Sequence, residues 1–70
     1  MADRKGRQPV GHGEAIIEFR TIGTTVKVSA VDPMTSTEVS IVAPAAAPQR
    51  HMTDIVLKKL RTVLARRNGA

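Results

Sequence analysis

Apolar residues recur at every second position in three successive runs, 14–21, 25–31 and 37–43, and then at every third or fourth position from about His51 to Arg67. A period of two sets alternate side chains on one face of a strand, whereas a period near 3.6 sets them on one stripe of a helix. Three half-buried strands and one amphipathic helix bury those surfaces most simply by packing the helix on the apolar face of the sheet, an α+β arrangement.

Turn chemistry fixes how the strands pair. In the first run Ala15, Ile17 and Phe19 alternate with Glu18 and Arg20, and Ile16 alone is out of phase. Gly23-Thr24 carries glycine at the first central position of a two-residue loop, as a type II′ hairpin requires. That loop pairs Ile22 with Thr25. It also sets Thr21 opposite Val26, Phe19 opposite Val28 and Ile17 opposite Ala30, all on one face. A slip of one residue would set Phe19 across from a polar side chain. The next connection, Asp32-Pro33-Met34-Thr35-Ser36-Thr37, is rich in turn formers. If Asp32 faces Thr37, then Ala30 meets Val39, Val28 meets Ile41 and Val26 meets Ala43. The expected architecture is a three-stranded antiparallel β-meander of order 1-2-3 with one C-terminal helix on one face, a single βββα domain over residues 14–70.

Pro44 and Pro48 remove backbone donors and end the sheet. The helix starts either with Pro48 as its first residue or at Thr53-Asp54, whose side chains suit an N-cap and first turn. Met52, Val56, Leu57, Leu60, Val63 and Leu64 share an arc of roughly 140°, with Ile55 on its flank. Asn68-Gly69 is a plausible stop, and Arg66 and Arg67 suit the negative helix end. Residues 1–13, MADRKGRQPVGHG, hold three glycines, a proline and four charges, with Val10 as the sizeable aliphatic beside Met1. So little apolar area does not offset ordering entropy, and a disordered basic tail is expected.

A chain of 70 residues hides only about 60% of its unfolded surface on folding. With no cysteine, disulfides and Cys-based zinc sites are excluded, which leaves good packing or self-association to supply the margin. The first dozen residues lack the apolar centre of a secretory signal, and no run approaches the roughly 18 apolar residues of a membrane span. A soluble cytoplasmic protein with no membrane partner, metal or cofactor is the expectation.

Eleven Lys and Arg against six Asp and Glu give a formal charge of +5, a field that favours polyanions or acidic proteins. Lys58, Lys59, Arg61 and Arg66 on the helix, with Arg4, Lys5 and Arg7 in the tail, would contact phosphates without reading sequence. Their diffuse spacing also fits an ordinary solvated face. Phe19 is the one aromatic residue, so base stacking on the sheet has no platform, and a single helix is no helix-turn-helix. Candidates for chemistry are few. His12 sits between two glycines without ligand neighbours, His51 at the helix start reads as a solvated or capping residue, Glu18 and Glu38 share the outward face but sit on opposite edge strands of an open, wet surface, and no phosphate-binding glycine loop is present. A non-enzyme is expected.

The outward face of the sheet carries Glu18, Arg20, Lys27, Ser29, Glu38 and Ser40, but also Ile16, Val31 and Val42. Ile16 stands opposite Val31, an apolar pair that the single helix does not reach. Scattered exposed aliphatics are commonplace. The sharper reading is a surface that docks another copy or a protein partner, helped by unpaired groups on the edge strands.

The stretch from Ile17 to Pro44, with EFRTIGTTVKVSAVDPMTSTEVSIVAP, and the later LKKLRTVLARR resemble a family of short uncharacterised bacterial proteins over roughly residues 14–67. The shared features are an Ile-Gly turn, an Ala-(Val/Ile)-Asp segment, a Thr-Gly-x-Glu-Val-like hairpin and a Leu-Lys-Lys-Leu-like helix. Ser36 and Ala43 stand where that pattern carries glycine. The resemblance implies the fold boundaries and no substrate or site. Residues and resemblance together lead to a small non-catalytic interaction module acting by self-association or partner binding, with non-specific nucleic-acid binding as the alternative.

Overall fold

The computed structural model describes residues 4–9 and 13–69. Four strands, β1 (Arg4–Pro9), β2 (Glu14–Ile22), β3 (Thr25–Asp32) and β4 (Thr37–Pro44), form one antiparallel sheet in the order β1-β2-β3-β4, and α1 (Gln49–Gly69) follows. The pairings of the last three strands are those that the turns dictate. Phe19 faces Val28 and Ile17 faces Ala30 across one ladder, while Val28 faces Ile41 and Asp32 faces Thr37 across the next. Gly23 has φ 61° and Thr24 does not take a positive φ, which is the type II′ geometry.

Ala15, Ile17, Phe19, Val26, Val28, Ala30 and Val39 line the inner face and are buried. From the helix Met52, Val56, Leu57, Leu60 and Leu64 close on them, with Ile41, Ala43, Ala47 and Val63 at the margin. The helix lies principally over β3 and β4. It begins one residue after Pro48, whose carbonyl accepts the Met52 N–H at 3.1 Å, so Pro48 occupies the cap position. Thr53 is no cap. Its hydroxyl donates to the Gln49 carbonyl one turn back, at 3.0 Å.

The disorder expected for residues 1–13 is corrected at residues 4–9, which form β1, while residues 1–3 and 10–12 lie outside the described residues. Arg4–Pro9 runs antiparallel to β2, with Gly6 beside Ile17 and Gln8 beside Ala15, so the meander has four strands rather than three. An apolar pattern is no precondition for this strand. It satisfies backbone donors and acceptors along the edge of β2, and Gly6, Arg7 and Gln8 are exposed. His12 lies outside the described residues.

Asp32, at the end of β3, is fully buried, and its carboxylate organises the β3–β4 loop. One oxygen accepts the Met34 N–H at 3.2 Å and the other accepts the Thr35 hydroxyl at 2.8 Å, an Asx turn closed by a side chain. Thr35 and Thr37 share a 2.7 Å hydroxyl contact, and Arg67 of the helix donates to the Thr37 Oγ1 at 2.7 Å. The loop is thereby tied to the last turn of α1. Ser36 ends the loop with φ 59°, a left-handed conformation that suits glycine and costs an L-residue roughly 1 kcal/mol.

Two stability outcomes follow from this loop. Ser36→Gly should raise the thermal midpoint by a few degrees, because about 1 kcal/mol of relieved strain exceeds the entropy that glycine adds to the unfolded chain. A lower midpoint in a calorimetric melt would show that the serine side chain contributes more than its backbone costs. Asp32→Ala should cost about 1–2 kcal/mol, since it removes two part-buried hydrogen bonds and the buried carboxylate that makes them. Asp32→Asn should recover part of that loss, and a denaturant midpoint for Asp32→Ala equal to that of the parent chain would show that these bonds are idle.

Candidate functional site

The alternation that buries one face exposes the other, and the helix covers only the first. On the outer face the side chains stand in rows across the strands. Ile16, Val31 and Glu38 form one row, with Arg7 of β1 beside Ile16. Glu18, Ser29 and Ser40 form the next, then Arg20, Lys27 and Val42, and finally Ile22, Thr25 and Pro44. By backbone register the face sets Lys5, Arg7, Arg20 and Lys27 against Glu14, Glu18 and Glu38, a near balance with one cation in excess.

Of the three aliphatics proposed from the sequence, the sheet unites two. Ile16 and Val31 are half-buried partners, and with Glu18, Ser29 and Glu38 they line a shallow depression of about 170 Å³. Val42, 70% exposed, stands opposite Lys27 and so lies two rows away, roughly 13 Å along the strands. Ile22, 63% exposed, joins it at that end. The turn-based register already put Ile22 in phase with Ile16, so parity along β2 was the signal for it.

The β4 edge of the sheet is less inviting than the face. Lys59 reaches from the helix to donate to the Ser40 carbonyl at 2.9 Å, on the free side of β4, and Pro44 ends that strand without a donor. The edge of β2 is taken by β1, whose last residue is Pro9.

The proposed cations separate by location. Arg7 lies on the sheet, 3.9 Å from Glu14 across the first hairpin, with both side chains well exposed, an ion pair of little energetic weight. The backbone of Arg4 and Lys5 belongs to β1, and their side chains lie outside the described residues. Lys58, Lys59, Arg61 and Arg66 are all exposed on α1. The helix holds six cations, these four with Arg50 and Arg67, against the single anion Asp54, a net +5 equal to the formal charge of the whole chain. Lys59 is committed to β4 and Arg67 to Thr37, and Arg61 is also engaged within the chain.

A second depression, open and about 410 Å³, lies between Gln8 and the first turns of α1, lined by Gln49, Arg50, Thr53 and Asp54. Sequence reasoning had no route to it without β1. His51 is exposed on the same helical segment. Among the described residues no three His, Asp or Glu side chains gather as metal ligands, and no helix is long and apolar enough to cross a membrane.

No curated protein and no solved structure matches the chain. A family pattern does match, over residues 12–67, which takes in β2, β3, β4 and nearly all of α1 but leaves β1 outside. With more than half of its length covered, the chain belongs to the DUF6898 family, a domain of unknown function.

Proposed function

We propose that this protein is a non-catalytic docking module that binds a protein surface through the outer face of its sheet. The observation that carries the reading is the half-buried Ile16–Val31 pair in a depression on a face that none of the described elements covers. Exposed apolar side chains flanked by charges of both signs are what a weak protein interface is made of, an apolar centre with a polar rim. Face docking is preferred over strand addition at β4, whose edge Lys59 and Pro44 obstruct.

A second reading rests on the helix. Because α1 carries the whole net charge, its solvent face is a local cationic field around Lys58, Arg61 and Arg66 suited to phosphate backbones.

Capture from a native lysate of the source organism separates the two, provided that the bait is varied. Protein recovered by the parent chain in the presence of nuclease and lost with Val31→Lys supports the sheet face. Recovery that depends instead on nucleic acid and is lost with the triple variant Lys58→Glu, Arg61→Glu, Arg66→Glu supports the helix. Equal recovery by Val31→Lys would remove the sheet face as the docking surface.

A further inference from the structure

The order of the rows on the outer face is self-complementary. A two-fold axis lying across the strands, between the Glu18–Ser29–Ser40 row and the Arg20–Lys27–Val42 row, sets each row of one copy against a different row of the other. Glu18 then faces Arg20, Ser29 faces Lys27, and Ile16 with Val31 faces Ile22 with Thr25. The depression that Ile16 and Val31 line, rimmed by Glu18 and Glu38, therefore meets an exposed isoleucine flanked by Arg20 and Lys27. Knob meets hollow and cation meets anion in a single operation, and the contact is isologous, as two-fold pairing demands.

We infer that the occupant of the outer face is a second copy of this chain, packed sheet on sheet with Ile22 of each copy in the Ile16–Val31 depression of the other. This rests on the docking reading above and names its partner. Glu18 and Arg20 are also engaged within their own chain, so the apolar rows supply most of the attraction and the charges set the register.

Long-range electrostatics favour the same geometry. Two sheets pack about 10 Å apart and each helix lies roughly another 10 Å outward, so the cationic helices of a face-to-face pair stand about 30 Å apart, several screening lengths at physiological salt. Pairing through the helices would instead bring two +5 surfaces into contact. The footprint of three strands by four rows is about 400 Å² per copy, below the usual class of stable complexes, so the dissociation constant should fall between about 10 µM and 1 mM.

Sedimentation equilibrium of the full chain from about 10 µM to 2 mM reads this directly. The mass should rise from 7.5 kDa toward twice that value across the range. Ile22→Asp, at an exposed position where the monomer fold is retained, should weaken the dimer at least tenfold. Glu18→Arg and Arg20→Glu should each abolish it alone, and mixing the two variants in equal amounts should restore a heterodimer, because every facing pair is then opposite in sign. That rescue distinguishes this register from any other association and from a folding defect. A parent chain that stays monomeric at 2 mM, a dimer indifferent to Ile22→Asp, or variants that do not rescue each other would each overturn the inference. A monomer whose protein recovery still depends on Val31 would overturn the second copy as occupant while the docking face itself stands.

Discussion

Parity along the strands governs this molecule. A two-residue loop at 23–24 and a four-residue loop at 33–36 fix β2, β3 and β4 in one mutual register, and a period of two then assigns every side chain to one of two faces. The inner face receives Phe19, Val28 and Ile41 in a single row, which Val56 and Leu60 can roof. A shift of one residue in the first hairpin would set Phe19 across from Lys27 or Ser29, and one in the second would turn Val39 and Ile41 away from the core. So much depends on the turns that their local chemistry is strengthened from outside: glycine takes the positive φ at 23, and the buried Asp32 carboxylate holds the other loop with Thr35.

One helix covers one face, and the outer surface is the direct consequence. Of the residues that reach it, Ile16 departs from the alternation, because Ala15 and Ile17 on either side already serve the core. An aliphatic in that phase adds nothing to the inner packing. It is only partly shielded by Val31 across the strand, so its remaining apolar area is free to contribute to association. A domain of this size has little hydrophobic stabilisation to spare, which makes association through a ready-formed flat layer an economical way to extend its buried area.

Much of this could be read from residues alone, since the pairings within residues 14–44 follow from Gly23, from the turn formers after Asp32 and from apolar alternation. What stayed hidden has common causes. β1 is held by its backbone and presents exposed side chains, so a search for apolar periodicity passes over it. Lys59 on Ser40 and Arg67 on Thr37 join residues 19 and 30 positions apart, and which cation meets which acceptor depends on how the helix lies over β4. The candidate surface was half legible: Ile16 and Val31 are paired by the hairpin arithmetic, whereas the separation of Val42 from them follows only when all the rows are laid out together.

Charge is distributed so that the two candidate surfaces do not interfere. The helix carries a charge equal to the excess of the whole chain, while the ionised residues of the outer face come within one charge of balance, and the hydrophobic core lies between them. A basic chain of uniformly spread charge would repel its own copy wherever it touched. Here repulsion concentrates on the side away from the sheet, and the nearly balanced face is the place where approach costs least. Commitment of Lys59 and Arg67 to the sheet further narrows the solvent-facing cations to those on the far side of α1. Attraction between apolar rows on one surface and a cationic field on the other can therefore be altered separately, since changing Val31 or Ile22 leaves the helix untouched, and changing Lys58, Arg61 or Arg66 leaves the rows as they are.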